Sequence, residues 1–163
     1  MWDLFLRALP LLQKAIVTTL GLGLGAFVLG TCLGLIIALM RISPVRLFRI
    51  IAFSYVSIFR GTPLLVQILL IYFGLPHYGI TMTPIPSALL ALTLFSAAYL
   101  SETFRAGISA VDSGQWEAAS SMSMGYWTCL RRIIIPQAFR IALPTMGSRL
   151  IALIKDTSLA STI

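Results

Sequence analysis

The sequence predicts an all-α membrane protein, folded as a polytopic bundle of spanning helices. Of its 163 residues, 58% are hydrophobic and only 10% are charged, whereas soluble domains carry about 25% charged residues. No Asp, Glu, Lys or Arg occurs between positions 15 and 40, or between positions 61 and 101. Because a spanning helix needs about 20 apolar residues, the first stretch fits one span and the second fits two with a turn.

The few charges lie where a membrane protein needs them. The net charge is +7 and the isoelectric point is near 10.1, which in a soluble chain would raise the question of nucleic-acid binding. Here the cations flank the apolar stretches, as topology signals do, so we expect a lipid bilayer and no nucleic acid as partner. Neither Cys32 nor Cys129 has the spacing of a metal ligand, and no nucleophile–base pair appears, so no catalytic or metal site is predicted.

The first two spans follow from charge and from the glycines and prolines. A span over residues 14–40 is followed by a short loop with three arginines and no acid. The positive-inside rule places that loop in the cytoplasm and the N-terminus outside. A second span over residues 50–73 then reaches a glycine- and proline-rich loop at residues 74–86, which lacks Lys and Arg as an external loop should.

The third and fourth spans differ in polarity. The third, over residues 87–104, returns to the cytoplasm, where four arginines gather after it. The fourth apolar segment, over residues 141–159, is interrupted by Arg149, Lys155 and Asp156. Such a helix cannot face lipid on all sides, so we expect it to pack inside the bundle or line a polar path.

Residues 105–138 connect these two spans on the cytoplasmic side. The segment is too polar to span the membrane and too apolar to be a free linker. Asp112 or Ser113 can cap a short helix, Gly125 offers a break, and Pro136 limits the helix that follows. Two short helices at an angle are therefore predicted here.

Three motifs, in order along the chain, resemble those of the permease subunits of ATP-binding-cassette (ABC) importers. Glu117, Ala118 and Ala119, followed at the family's spacing by the apolar residues and proline of IIIP at positions 133–136, look like the EAA motif. The motifs RGTP at 60–63 and KDTSL at 155–159 resemble signatures of the branch that imports polar amino acids, including histidine, glutamine, arginine and cystine. The resemblance covers nearly the whole chain.

This resemblance implies one permease domain over residues 1–163, in the bacterial cytoplasmic (inner) membrane. Its coupling segment would dock on separate ATPase subunits, which carry ATP and Mg, so the chain itself would be non-catalytic and free of cofactors. A second permease copy, identical or different, and an extracytoplasmic solute-binding protein would complete the complex. The family also implies five core helices, of which four are visible, so we expect a fifth after Ile163 and a C-terminally truncated chain.

The docking segment is chemically suited to that role. Ala118 and Ala119 form a small face that permits close approach, and Glu117 offers a charge-assisted contact. The alternative is a helix lying on the membrane surface, against which residues 115–122 show no strong basic face. Where the family pattern has glycine, six residues after the glutamate, this chain has Ser123, so either Ser123 or Gly125 makes the turn.

Arg60, Gly61 and Thr62 are candidates for a substrate pathway. The arginine lies at membrane depth, and Gly61 and the proline at position 63 weaken regular helical bonding there. A charge beside a broken helix is a candidate contact for a polar solute. A structural arginine that pairs with carbonyl groups or reaches the interface is equally expected.

Arg149, Lys155 and Asp156 are the other pathway candidates. Arg149 and Asp156 are seven residues apart, hence about 20° from alignment on one helix face. A site with both signs suits the carboxylate and ammonium of an amino acid, and an internal ion pair that holds the bundle is an equal alternative. Glu102 and Arg105, spaced i, i+3, read instead as a surface pair.

The leading functional hypothesis is an importer permease for a small polar amino acid, with a lean toward cystine. No P-loop motif occurs in the chain, so ATP would be hydrolysed by partner subunits. A first alternative is a channel or carrier that works without ATP, which would leave the docking segment unexplained. A second alternative is an inactive truncated membrane fragment.

Overall fold

A computed structural model describes the backbone of residues 2–163 and the side chains from Ala8 onward. This part of the chain is helical and contains no β-strand, which confirms the all-α prediction. Short π-helical turns at Leu70–Gly74 and Leu130–Ile134, and 3-10 turns at Leu75–Tyr78 and Thr157–Thr162, extend the α-helices. The α-helices are α1 (Trp2–Ile42), α2 (Arg46–Gly61), α3 (Leu64–Leu69), α4 (Pro84–Ser109), α5 (Ser113–Ser121), α6 (Tyr126–Cys129) and α7 (Ile135–Asp156).

Two helices are long and apolar enough to cross a membrane, namely Ala8–Ile42 within α1 and Pro84–Ser109. A third span results if Arg46–Gly61 and Leu64–Tyr78 are taken together, although the two are bent by 106°. The charged helix α7 does not meet the same criteria of length and composition. The predicted count of four spans is therefore not confirmed.

Both long spans extend beyond the limits predicted from the sequence. The first helix begins well before residue 14 and ends at Ile42, with Pro10 inside it. The helix α4 begins at Pro84 rather than at residue 87, because a proline in the first turn removes an N–H that has no partner there. It also runs to Ser109, five residues past its predicted end.

The second span is not the continuous helix predicted over residues 50–73. Thr62 and Pro63 have extended backbones between α2 and α3. The buried side chain of Gln67 stabilises this break: its Nε2 lies 2.9 Å from the carbonyl oxygen of Phe59 and 2.8 Å from Oγ1 of Thr62. The glycine and proline of the RGTP motif marked the break, but the amide that stabilises it went unpredicted.

The start of α7 also differs from the prediction. Pro136 does not end the short helix before it, because the chain continues from α6 through the π turn into α7. It lies instead in the first turn of α7, where proline is tolerated. The helix thus begins six residues before the predicted position 141, and a 3-10 turn follows its end at Asp156.

The helix α4 lies at the centre of the bundle, where it packs against α1, α2 and α7. Two glycines of α1 permit the closest approach. A Cβ atom at Gly30 would lie 3.0 Å from the Ser96 side chain, and one at Gly34 would lie 3.0 Å from the carbonyl oxygen of Ala97. Close backbone contact therefore fixes α1 against α4, and α7 and α2 flank the same central helix.

Candidate functional site

Tyr99, near the middle of α4, is in cation–π contact with two guanidinium groups. Cζ of Arg60, at the end of α2, lies 5.1 Å from the centre of its ring. Cζ of Arg149, on α7, lies 4.2 Å from the same ring centre and 4.9 Å from that of Phe95. Three helices thus meet at Tyr99, and two of the predicted pathway residues lie beside it.

Arg149 also pairs with Asp156, two turns further along α7. Its Nη2 lies 3.7 Å from Oδ2 of Asp156, and the two side chains are 15% and 30% exposed. The nitrogens Nε and Nη2 of Arg149 are buried without a hydrogen-bond partner in the described part of the chain. The ion pair predicted as one of two alternatives is present, and it leaves two guanidinium donors unused.

The remaining predicted pathway residues have other positions. Gly61 ends α2 with open space beside it. The hydroxyl of Thr62 donates to the carbonyl oxygen of Ile58 at 2.8 Å and accepts from Gln67, so this residue shapes the break. Lys155 is exposed and forms no ion pair with the described side chains.

A second cluster of charged side chains lies further along α4 than Tyr99, toward the C-terminal end of the helix. Glu102 is hydrogen-bonded to both Arg105 on its own helix and Arg41 at the end of α1. The i, i+3 pair predicted from the sequence is therefore confirmed, with a third member from α1. A groove of about 360 Å³ joins this cluster to the Tyr99 ring, and it is lined by residues that include Arg41, Phe53, Ser57, Arg60, Tyr99 and Glu102.

The segment between α4 and α7 forms α5, the first of the two predicted short helices, whereas the second, α6, continues into α7. Oδ1 of Asp112 accepts from the backbone N–H of Gly114 at 2.7 Å and caps the start of α5. Ser123 has φ +57°, and no other described residue except glycine has a positive φ. Gly125 has an ordinary extended conformation at the start of α6. The sequence left open whether Ser123 or Gly125 makes the turn after α5. The structure shows that Ser123 makes it.

The predicted docking residues divide between the two faces of α5. Ala119 is buried against Cys129 and Leu130 and holds α5 to the start of the last helix. Glu117 and Ala118 are exposed. The side chains of Met122 and Trp127, which follow α5, are 75% and 58% exposed. We call these four exposed residues the docking surface, after the role predicted for Glu117 and Ala118.

This architecture matches a known group of membrane proteins. Residues 30–163 match the family described as "Binding-protein-dependent transport system inner membrane component". The chain belongs to this family. It is a membrane permease of an ABC importer, and permease subunits of such transporters are non-catalytic.

Individual relatives transport amino acids. The chain is 45% identical to the L-cystine transport system permease protein TcyB of Bacillus subtilis, over 99% of the chain and 70% of that protein. It is 38% identical to the arginine transport system permease protein ArtQ of the same organism, over 95% and 71%. A solved structure titled "Crystal structure of an amino acid ABC transporter with histidines" is 40% identical with a TM-score of 0.91, over 99% of this chain and 76% of that one.

Sequence reasoning missed two aromatic residues of the candidate site, Phe95 and Tyr99. Their i, i+4 spacing places them on one face of α4, and a tyrosine inside an apolar span was the available signal. Nothing in the sequence alone shows that this face meets Arg60 and Arg149. The resemblance to amino-acid importer permeases, in contrast, is confirmed by the family match together with the relatives described as amino-acid permeases.

Proposed function

We propose that this permease translocates a small polar amino acid, and that separate subunits supply the energy by hydrolysing ATP. The observation that carries this proposal is the Arg149–Asp156 pair at the Tyr99 ring. Charges at membrane depth are costly and mark solute pathways. An amino acid presents a carboxylate to the guanidinium and an ammonium to the carboxylate, so the pair complements its head group.

The docking surface supports a separate ATPase as the source of energy. Glu117 and Ala118 are exposed, and so are two large apolar side chains that follow α5, Met122 and Trp127. An exposed carboxylate beside apolar surface is suited to charge-assisted docking on another protein. In this proposal the ATPase carries ATP and Mg, while Ala119, Ser123 and Gly125 hold the shape of the segment that docks.

The complex would also contain a second permease copy and an extracytoplasmic binding protein. The N-terminus would lie outside, because the positive-inside rule favours a cytoplasmic position for the arginine-rich loop after α1 and for the basic segment around α6. The path would open alternately to the two sides, as in other transporters with a site near the midplane. Cystine is the first substrate to test, since the relative TcyB is described as an L-cystine permease.

Reconstitution tests the proposal. The permease is placed in proteoliposomes with its ATPase subunits and binding protein, and uptake of labelled amino acids is measured with ATP or a non-hydrolysable analogue. We expect uptake only with hydrolysable ATP, and a raised half-saturation concentration in Asp156→Asn. Uptake that persists without the ATPase would support a channel or carrier instead, and no uptake would support an inactive fragment.

A further inference from the structure

The guanidinium of Arg149 has an unused edge. Nε and Nη2, its two buried nitrogens without a partner, lie on the same side of the planar group. Asp156 lies 3.7 Å from Nη2, beyond the roughly 3.2 Å limit of an N–H···O hydrogen bond. Asp156 therefore balances the charge of Arg149 without filling its donors, and buried donors without acceptors are costly.

That edge has the shape of a carboxylate site. Nε–H and one N–H of Nη2 point the same way and can donate two parallel hydrogen bonds to the two oxygens of one carboxylate. The neighbouring Asp156 then remains available for an ammonium group attached to the same molecule. Arg149 and Asp156 together therefore match the two charged groups on the α-carbon of an amino acid.

The charges around Tyr99 do not balance. Arg60 and Arg149 both contact its ring, whereas Asp156 supplies one negative charge. Glu102 lies along the same groove, but Arg41 and Arg105 already bind it. One positive charge, that of Arg60, is thus left without a carboxylate among the described side chains, and Arg60 is exposed to the groove.

The two guanidinium groups lie near each other at the Tyr99 ring. Since their Cζ atoms lie 5.1 and 4.2 Å from the same ring centre, their separation cannot exceed the sum of those distances. A ligand with an α-carboxylate at Arg149, an ammonium at Asp156 and a second carboxylate at Arg60 would satisfy all three charges.

We propose that this site selects amino acids that carry two carboxylates. The inference rests on the proposed function and specifies its substrate class. Two kinds of molecule carry the required two carboxylates and one ammonium: a dicarboxylic amino acid such as glutamate, and a two-headed amino acid such as cystine, whose second ammonium group has no partner among these three residues. In both, the Nε–Nη2 edge of Arg149 binds the α-carboxylate and Arg60 binds the second one.

Equilibrium binding to the assembled permease–ATPase complex, without the binding protein, tests this inference. Glutamate is compared with glutamine, which has the same shape without the second carboxylate. Cystine is compared with the mixed disulfide of cysteine and cysteamine, which lacks one carboxylate. We expect at least one member carrying two carboxylates to bind tenfold or more tightly than its partner, and the pair that shows the difference identifies the kind of substrate.

Variants distinguish the proposed roles of the two arginines in binding. Arg60→Gln should remove the preference within the pair and leave the affinity for the monocarboxylate unchanged. Arg149→Lys, which keeps the charge but loses the two-donor edge, should weaken both ligands tenfold or more. Arg46→Gln, which alters an arginine outside the Tyr99 contacts, is the matched control and should bind as the unaltered protein does.

Equal affinities within both pairs would overturn the inference, and so would uptake without detectable binding of any of the four ligands. Unaltered binding in Arg149→Lys would overturn the carboxylate assignment. ATP-driven uptake of monocarboxylic amino acids with no such preference would contradict this inference alone. Failure of ATP-driven uptake for every amino acid would contradict the proposed function itself.

Discussion

The side chain of Gln67 donates through Nε2 to the carbonyl oxygen of Phe59 at 2.9 Å, across the break between α2 and α3. The same nitrogen also reaches the carbonyl oxygen of Thr62 at 3.2 Å and its hydroxyl at 2.8 Å. One buried amide thus supplies donors to backbone oxygens that the extended residues leave without helical partners. Breaks at membrane depth require such replacements.

Replacing this amide should destabilise the bend. We expect Gln67→Leu to lower the free energy of unfolding by about 1–3 kcal/mol, because buried carbonyl oxygens lose their donor. The measurement is thermal unfolding of the purified protein in detergent. Gln137→Leu is the control, since that half-buried amide donates to the exposed Gln115 side chain and to the carbonyl oxygen of Ile133 one helical turn away. Its effect should be the smaller one, within about 0.5 kcal/mol. Equal effects of the two variants would contradict this account of the break.

The close contact of α1 with α4 predicts opposite results for two glycines. A Cβ at Gly34 would lie 3.0 Å from the carbonyl oxygen of Ala97, whereas one at Gly21 would meet nothing within 4 Å. Gly34→Ala should therefore cost about 1–3 kcal/mol by overpacking. Gly21→Ala should be neutral or stabilising by up to about 1 kcal/mol, because alanine favours helix. The same unfolding assay distinguishes them, and a harmless Gly34→Ala would argue against the packing described.

The left-handed backbone at Ser123 predicts a stabilising substitution. Because a residue with a Cβ atom pays about 1–2 kcal/mol in that conformation, Ser123→Gly should raise the unfolding temperature. Ser120→Gly, the same change inside α5, should instead lower it, since glycine disfavours helix by about 0.5 kcal/mol or more relative to serine. If both glycines act alike, strain at Ser123 is not the cause.

The docking surface predicts a loss of assembly without a loss of folding. Glu117→Lys reverses an exposed charge on α5 and should abolish co-purification with the ATPase subunits, while insertion into the membrane is unchanged. Binding is measured by pull-down from solubilised membranes at fixed salt. The control His77→Lys, at an exposed position of the predicted external loop, adds positive charge elsewhere and should leave the yield of complex unaltered. Retention of the ATPase by Glu117→Lys would refute the docking role.

The hydropathy pattern and the positions of glycine, proline and helix-capping residues were sufficient to predict the class of fold and several local features. The uncharged stretches predicted the long spans, and Asp112 was one of two residues predicted to cap a short helix, because such a cap acts on a backbone group close by in the sequence. Pro136 was misjudged for a physical reason: proline ends a helix or begins one, depending on which side the chain continues, and the sequence pattern does not decide between the two.

The candidate site was harder to predict, since it depends on contacts between distant helices. The opposite charges of Arg149 and Asp156 were visible as a spacing along one helix. Tyr99 was not, because an aromatic residue in an apolar span packs against lipid or protein depending on how α2 and α7 lie. The role of Gln67 likewise depends on the bend between α2 and α3, and no local sequence pattern predicts the angle of that bend.

The π turn at Leu130–Ile134 has a mechanical consequence. It joins α6 to α7 without a gap, so the backbone is helical throughout residues 126–156. Trp127 of the docking surface lies near one end of this continuous backbone, and Arg149 and Asp156 lie near the other. Pro144 lies between them inside α7 and removes one helical hydrogen bond, so the backbone can bend there. If Trp127 docks on another subunit as proposed, its movement is passed to Arg149 along this backbone, and Pro144 is the place where that movement changes direction.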